Sequence, residues 1–463
     1  MKNLQKIRTL TFTIIVLLSV NLLIVKGQDD KTTKYRRSSL TMVLVENNDL
    51  GKNKDMVVNA YNAFPFPDKY NLHKIVDNKL NTADKQMILS IDDFKKAGFY
   101  KDTLKTPMDM IKAKSKNPLN KIKYFDETNT KGFLEPTREQ IVNIQINKYI
   151  KEKNIAKQMV ASWFNRKSEG KMDWDLWKQR AAYSASQSEK DGGDSKQGLT
   201  DKMLRDVDVI GNSFIVFNYM DFYENEPVAA LLRDVAKAAA IKQLAGKPQF
   251  LIDKSMQLLD KAYDLTKEGY TVKCNTYLYQ LDWSEAIAKQ TKNWFFNNDI
   301  DLTKSNKIWD TTSLYKMKFV GKTISLSIVV GGKKTVEEII TLQVKRTMDN
   351  ALSKLQRAYV VFRPVSPIFE TNPFLIAQIG IKEGVENGDK YEILKSEEDQ
   401  FGIPKWKSIG KVKVDKKKPI WDNRPNAEPL KDKDGKDIPV LPYTTFKGGK
   451  KAVAGMHYIR FLK

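Results

Sequence analysis

Two kinds of hydrophobic pattern alternate along the middle of the chain. Segments rich in β-branched and aromatic residues predict strands over Val209–Tyr223 and Tyr270–Trp283. Between them, apolar residues at the helical period predict helices over Val228–Ala245, just after Pro227, and over Phe250–Lys267. Strands that alternate with helices in this way favour a sheet covered by helices.

The residues that follow extend this pattern. Ser284–Phe296 predicts a short helix, and Leu314–Val330 predicts two strands joined at Gly321, which would form an antiparallel hairpin. Thr335 with Glu338 forms a capping box, the usual start of a helix. The helix that we predict after it has one apolar stripe, made of Val336, Ile340, Val344, Met348, Ala351, Leu355 and Tyr359.

The residues before this region give a mixed pattern and then a helical one. Thr137 and Gln140 form another capping box, followed by an apolar stripe that is interrupted near Asn154. Further upstream, the clearest strand signal is at Leu40–Glu46. We therefore predict a mixed N-terminal region that leads into a helical body.

The pattern changes again after the prolines at 364, 367 and 373, which predict a stiff connector. Beyond it, short strand-like segments and glycine turns, among them Ile379–Leu394 and Lys411–Asp415, predict a small β-barrel. The expected fold is α+β, or mixed α/β, with a helix-covered mixed sheet body followed by a small C-terminal β-barrel. The predicted divisions of the chain are 1–27, 28–135, 136–363 and 364–463.

The first 27 residues predict export. Three basic residues precede an apolar run at Leu10–Val25, and Gly27 provides a small residue for cleavage before Gln28. The run is shorter than the roughly 20 residues that a membrane-spanning helix needs. We interpret 1–27 as a cleaved signal peptide, so we expect an exported protein that is not membrane-integral after signal removal. The expected location is periplasmic, outer-membrane-associated or at the cell surface.

The charge indicates an affinity for anionic surfaces. The formal net charge of the chain is +23, and removal of residues 1–27 takes away four basic residues and no acid, which leaves +19. Such a field attracts anionic partners. However, 66 of the 79 basic residues are lysine, whereas base and phosphate recognition favours arginine. We therefore expect an envelope component or an anionic surface as the partner, and no nucleic acid.

Few residues carry a signal for catalysis. Asp221, Glu224 and Glu226 lie where a predicted strand meets a helix, and paired carboxylates there could act as acid and base in a hydrolase. The alternative is that Glu226 caps the helix while the other two acids face water. Cys274 falls inside a predicted strand with no histidine nearby, which is typical of a buried structural cysteine.

The sequence also gives no sign of a bound metal or cofactor. Its two histidines, His73 and His457, are far apart, and the Lys431–Asp437 loop lacks the acids of a calcium site. The Gly448–Gly449 pair is not followed by the residues of a phosphate-binding loop. We expect no metal site and no cofactor.

A lysine-rich strand is the main candidate for partner binding. Seven lysines and one acid, Asp415, lie between Lys405 and Lys418, with Trp406 and Trp421 near its ends. One interpretation is a docking face for an anionic partner or membrane surface, with Trp421 adding apolar contact. The other is an edge strand that lysines protect against unwanted pairing. The partner-binding residues that we predict are Lys407, Lys411, Lys413 and Trp421.

Two resemblances bear on these expectations. The segment GVENGDKYEIL resembles the turn and strand of small barrels in envelope assembly proteins such as the flagellar outer-membrane assembly factor. More broadly, the segments NYMDFYENEP, GYTVKCNTYLYQLDW, KPIWDNR and TTFKGG are similar to a family of exported proteins of Bacteroidetes. This resemblance covers most of the chain from about Pro136. It implies an envelope location and a two-part architecture, and it transfers no catalytic residues.

Three hypotheses for function follow. The first is a non-catalytic exported envelope protein that acts by binding or assembly. Its partner could also be a protein. The second is a secreted hydrolase that uses Asp221 with Glu224 or Glu226. The third is a soluble carrier of an apolar ligand, which would need an apolar cavity in the helical body. The sequence leaves the oligomeric state open.

Overall fold

The structure is a computed structural model and describes residues 38–46, 50, 53–72, 75–99, 137–173, 210–296, 301–330, 334–398, 404–424, 427 and 441–462. These residues form a mixed sheet with helices on both faces and a closed six-stranded antiparallel barrel in the C-terminal part. The predicted fold class is confirmed. The predicted signal peptide, residues 1–27, lies outside the described residues.

The mixed sheet has six strands and includes N-terminal residues. The strands are β1 (Ser38–Glu46), β2 (Tyr70–Leu72), β3 (Lys79–Asn81), β4 (Ser213–Glu224), β5 (Gly269–Asp282) and β6 (Lys316–Val330). They lie in the order β2-β1-β4-β5-β6, with β3 also paired to β1. Strand β1 runs parallel to β2, β3 and β4, whereas β4–β5 and β5–β6 are antiparallel. The N-terminal residues therefore share one sheet with the predicted body.

Nine helices accompany this sheet in the part of the chain that the structure describes. They are α1 (Lys54–Asn62), α2 (Ile91–Lys96), α3 (Arg138–Glu152), α4 (Ile155–Trp163), α5 (Asn225–Gln243), α6 (Gln249–Thr266), α7 (Glu285–Phe295), α8 (Leu302–Thr311) and α9 (Val336–Ala358). The predicted capping boxes at Thr137 and Thr335 are both formed. The predicted interruption falls at Asn154, whose left-handed backbone (φ 48°) separates α3 from α4.

Each face of the sheet buries its own apolar core, because successive strand residues point to opposite sides. On one face, Phe217 and Tyr279 pack against α3 and α4, and Trp163 donates a 2.7 Å hydrogen bond to Ser213. On the other face, Val272 and Leu278 pack against α1 and α9. Both interiors are therefore filled with side chains of the body.

The predicted hairpin at Leu314–Val330 is wrong. This segment forms one continuous 15-residue strand, β6, and Gly321 lies inside it beside an irregularity in the pairing with β5. A Cβ at Gly321 would overlap the ring of Tyr359 at the end of α9. The glycine is thus required by close packing rather than by a turn. The antiparallel pairing comes instead from β4 to β5 and β5 to β6.

Several other elements differ from prediction. Helix α5 begins at Asn225 rather than Val228, and Pro227 is its third residue. The predicted stripe of α9 is buried from Ile340 to Leu355, whereas Val336 is exposed. Helices α1, α2 and α8 were not predicted, because they are short, with ten residues or fewer.

The C-terminal barrel also has six strands. They are β7 (Ser366–Glu370), β8 (Leu375–Ala377), β9 (Lys390–Glu398), β10 (Pro404–Val414), β11 (Thr444–Gly448) and β12 (Tyr458–Phe461). The barrel closes in the order β10-β11-β8-β7-β12-β9, and its interior holds Ile393, Val412 and Phe446. The predicted proline connector is wrong in part, because Pro367 lies in a barrel strand and Pro373 follows it in the turn to the next.

Two arginines at and just after the end of α9 connect the sheet body to the barrel. Arg357 lies 2.6 Å from the Asp389 carboxylate just before β9 and donates a 2.6 Å hydrogen bond to the Gly384 carbonyl. Arg363 donates a 3.1 Å hydrogen bond to the Phe461 carbonyl in β12. Both guanidinium groups lie over the Phe461 ring, at 4.5 and 5.0 Å from its centroid. The sheet body and the barrel are therefore joined by charge-assisted contacts.

Candidate functional site

Strand β10 separates its lysines from its apolar residues. Val412 and Val414 are buried inside the barrel, while Lys411 and Lys413 are exposed on its outer surface. Lys407 is also exposed, but it precedes an irregularity in the pairing with β9 between Ser408 and Gly410. The period of two along a strand produces this separation. The three predicted partner-binding lysines are therefore all available to a partner in solution.

The register of the barrel adds two lysines that sequence analysis did not single out. Lys413 lies directly opposite Lys390 of β9 on one side and Lys447 of β11 on the other. All three side chains are exposed. We call Lys390, Lys413 and Lys447 the lysine row. It could not be found from the sequence, because the three residues come from segments that only the strand register brings together.

The ion pairs around the row are few. Lys447 lies 2.9 Å from the buried carboxylate of Asp415. A hydrogen bond from the Lys417 backbone N–H, together with this contact, holds the pKa of Asp415 below its usual range. Within the described part of the chain, Lys390 and Lys413 have no ion-pair partner. Directly opposed like charges on neighbouring strands are destabilising, so the row carries an electrostatic cost in the free protein.

The other two predicted lysines are closer to acids. Lys407 lies 2.9 Å from Glu397. Lys411 lies opposite Glu392 in the register, but the carboxylate of Glu392 pairs with Arg460 at 2.8 Å. Lys407 therefore has an acidic partner, whereas Lys390 and Lys413 of the lysine row have none among the described residues.

The edge-strand interpretation fits only half of β10. Strand β9 pairs with β10 from Pro404 to Lys413, whereas β11 pairs only with Val412–Val414. Among the described residues, the first half of β10 thus has a neighbour on one side only, and lysines there can protect an edge. Lys413 has a strand on both sides, so edge protection does not explain it.

The two tryptophans of this region contact other parts of the barrel. Trp421 is half-buried on the segment after β10, where its backbone N–H donates to Thr444 at 3.3 Å and its carbonyl accepts from Ile381 at 2.9 Å. Trp406 is also half-buried and packs edge-on against Tyr458, with 5.0 Å between the ring centroids. The backbone of Trp421 is therefore fixed beside Thr444, the first residue of β11 and three residues before Lys447.

The three candidate acids do not converge. Asp221 lies opposite Lys273 on the face that packs against α3, whereas Glu224 lies opposite Tyr270 on the other face. Glu226 is exposed in the first turn of α5 and accepts a 2.9 Å hydrogen bond from the Tyr263 hydroxyl. Asp221 and Glu224 therefore lie on opposite faces of the sheet, so these two carboxylates do not face one another as a hydrolase pair requires.

Asp221 instead borders a charged cluster that sequence analysis missed. Glu139, in the first turn of α3, lies 3.0 Å from Lys273 and 2.6 Å from Lys322. Hydrogen bonds from Lys322 and then Lys273 hold the pKa of Glu139 below its usual value, while burial raises the pKa of Asp221. The cluster ties α3 to β5 and β6 at the rim of the sheet.

The remaining reactive groups are structural. Cys274 is fully buried, and burial raises its pKa to about 12, which leaves it a poor nucleophile at neutral pH. His457 is buried and its Nδ1 accepts a 3.0 Å hydrogen bond from the Val453 N–H. His73 and the Lys431–Asp437 loop lie outside the described residues. Among the described residues, no cluster of three or more acidic, histidine or cysteine side chains could hold a metal.

A groove lies beside the helical body. It has a volume of about 630 Å³ between α2 and α3, and Asp93, Asn143, Asn147 and Lys148 line it together with Ile144. A carrier of an apolar ligand needs a mainly apolar cavity. The groove is partly open to solvent, so it is not the enclosed cavity that buries most of a carried ligand.

Comparison of the sequence with known protein families finds no family that matches, and comparison with curated proteins finds no similar one. In the part of the chain that the structure describes, no helix combines the length and apolar character needed to cross a bilayer. The function must therefore be argued from the site itself.

Proposed function

We propose that this is a non-catalytic exported protein that binds an anionic component of the cell envelope through the lysine row. The observation that carries the proposal is the placement of Lys390, Lys413 and Lys447 side by side on three neighbouring barrel strands. Paired strands hold directly opposite Cβ atoms about 5 Å apart, so three ammonium groups project from one small area.

The electrostatic cost of the row supports a binding role. A surface that served only solubility would be more stable with acids interspersed among the lysines. An anionic partner that contacts the row would relieve the repulsion between Lys390 and Lys413, because each ammonium would gain an opposite charge. The repulsion among the lysines of the row is therefore smaller in the complex with an anionic partner than in the free protein.

Export is supported by the sequence. The basic start and apolar run of residues 1–27 have the features of a signal peptide, and the resemblance to exported Bacteroidetes proteins agrees with it. The proposed location is the periplasm, the outer membrane or the cell surface. The excess of lysine over arginine argues against nucleic acid as the partner.

The substitution Lys413→Glu tests the proposal, because it separates stability from binding. The new carboxylate would lie between Lys390 and Lys447, so the like-charge contacts would become attractive. We expect the free energy of unfolding to rise by about 0.5–1 kcal/mol while association with isolated envelopes falls. Parent binding should also weaken between 0.1 M and 1 M salt, because the screening length shortens from about 10 Å to about 3 Å.

A control variant with the same change in net charge shows whether the position of the substitution matters. Lys304→Glu alters one exposed lysine of α8 on the sheet body, and we expect it to leave envelope binding as in the parent. The double variant Lys390→Glu/Lys413→Glu restores a like-charge pair of opposite sign, and we expect it to bind least. Envelope binding by Lys413→Glu equal to that of Lys304→Glu would refute the role of the row.

A further inference from the structure

A long helical hairpin projects from the sheet between two neighbouring strands. Helices α5 and α6 connect β4 to β5, and we call residues 225–266 the helical arm. Its base is fixed by buried Asn225, which donates hydrogen bonds to the carbonyls of Glu268 at 3.3 Å and Val329 at 3.1 Å. Among the arm side chains that the structure describes, only Asn225 and Ala229 are buried. With 19 residues, α5 is about 28 Å long.

Charge is distributed unevenly along the arm. The outer part, residues 235–252, contains three lysines and no acid. The acidic residues of the arm lie outside this range, at positions 226, 234, 253, 260 and 264. Asp260 pairs with Lys237 of the outer part, and Asp264 pairs with Lys267 just after the arm. Within the described residues, Lys242 and Lys247 at the tip have no ion-pair partner. The outer part of the arm is therefore positive, while acids outnumber basic residues in the rest of it.

The same tip exposes large apolar side chains. Phe250 is 64% exposed, Ile241 55% and Leu251 36%, and all three lie close to the turn at Gly246. Exposed apolar side chains that are grouped together mark interaction surfaces. Here they share one end of the arm with two unpaired lysines.

We propose that the tip of the helical arm docks on the surface of a bilayer that contains anionic phospholipid. Phe250, Ile241 and Leu251 would enter the boundary between headgroups and acyl chains, as the apolar face of an interfacial helix does. Lys242 and Lys247 would extend along that boundary with their ammonium groups at the lipid phosphates. The absence of acids from residues 235–252 makes this end complementary in charge to such a surface. The inference does not depend on the proposed role of the lysine row.

A fluorescent probe at the tip tests the proposal directly. The native Cys274 is fully buried, so a cysteine introduced as Phe250→Cys can be labelled selectively with an environment-sensitive dye. Vesicles of phosphatidylethanolamine with 30% phosphatidylglycerol serve as the anionic probe, and pure phosphatidylcholine vesicles as the neutral one. We expect a blue shift and quenching by spin-labelled lipid with the anionic vesicles only. The matched position is Leu258→Cys, exposed further down α6, whose spectrum should not change.

Charge and apolar variants distinguish this docking from other binding. Lys242→Glu/Lys247→Glu should weaken binding to anionic vesicles by about tenfold or more, whereas Lys261→Glu/Lys267→Glu, at the base of the arm, should have a much smaller effect. Phe250→Ser/Leu251→Ser should remove the residual binding at high salt. Every variant is compared with a parent that carries the same N-terminus, so any contribution of residues 1–27 cancels.

Three outcomes would overturn the inference. The probe at position 250 could remain in an aqueous environment on vesicle-bound protein, which would exclude insertion of the tip. The tip and base charge variants could bind equally, which would exclude a role for Lys242 and Lys247. Binding could also require a protein extract rather than lipid, in which case the arm would be a protein-docking element. The variants at Lys390 and Lys413 test the lysine row separately. Envelope binding by these variants therefore bears on the proposed function and not on the helical arm.

Discussion

Buried polar residues decide much of the chemistry at the residue scale. Asp349 of α9 is only 4% exposed, and one of its carboxylate oxygens has no hydrogen-bond partner among the described residues. Burial raises its pKa to about 6, although Lys382 and Arg424 oppose the shift. A charged carboxylate at this position is therefore held at a cost to the fold.

The pH dependence of stability should reveal Asp349. Its folded pKa of about 6 exceeds the value of 3.8 for an unperturbed aspartate, so the folded state binds the proton more tightly. The contribution to the free energy of unfolding is greatest below about pH 4 and falls as the pH rises through 6. Asp349→Asn removes this dependence. We expect the variant to be more stable than the parent by about 1–3 kcal/mol at pH 8 and little changed at pH 4.

Chemical denaturation at several pH values between 4 and 8 measures this difference, and the subtraction of parent from variant removes the titration of all other groups. A difference that stays constant over this range would show that Asp349 keeps an ordinary pKa. A difference that grows toward low pH would contradict the sign of the prediction.

Gly321 offers a second prediction at the residue scale. A Cβ there would overlap the Tyr359 ring, whose hydroxyl donates a 2.8 Å hydrogen bond to the Lys322 carbonyl. We expect Gly321→Ala to displace this ring and to lower the free energy of unfolding by about 1–3 kcal/mol. Thermal and urea denaturation measure the change.

A second background isolates the cause. In Tyr359→Ala protein the space beside Gly321 is free, so Gly321→Ala should cost almost nothing there. An equal loss in both backgrounds would mean that Gly321 is needed for its backbone conformation, as the predicted hairpin turn implied.

At the scale of elements, local signals predicted more than long-range ones. The capping boxes at Thr137 and Thr335 are formed by residues three apart, so the sequence alone contains them. The lysine row depends on which residues of β9, β10 and β11 lie opposite one another, and register is set by the closure of the whole barrel. Sequence analysis therefore found Lys413 but not its neighbours Lys390 and Lys447.

The same distinction explains the elements that were mispredicted. Glycine is typical of turns, which is why a turn was predicted at Gly321. In the structure, Gly321 instead leaves room for the ring of Tyr359, which follows helix α9. The acids Asp221 and Glu224 are three apart in sequence, which suggested a cluster, but a strand sends such residues to opposite faces. Residues that are close in sequence along a strand therefore need not lie in one active site.

At the scale of the whole molecule, sheet body and barrel are linked through a small set of charged contacts. Asp389 is largely buried and pairs with Arg357, which also contacts Glu386 at 3.3 Å. The ring of Phe461 lies under both Arg357 and Arg363. Partly buried bidentate pairs of this kind contribute more than exposed ones, because less water competes for them.

The last prediction concerns how this junction couples the two parts. Replacing Arg357 with alanine leaves the Asp389 carboxylate without its guanidinium partner and removes the cation from the Phe461 ring. We expect Arg357→Ala to separate the unfolding of the barrel from that of the sheet body, so that one calorimetric transition becomes two. Arg357→Lys retains the positive charge but loses the planar bidentate contact, and should give an intermediate result. If Arg357→Ala instead melts in a single transition as sharp as that of the parent, the coupling resides elsewhere, and contacts such as the hydrogen bond from Lys69 to the Gln378 carbonyl become the next to vary.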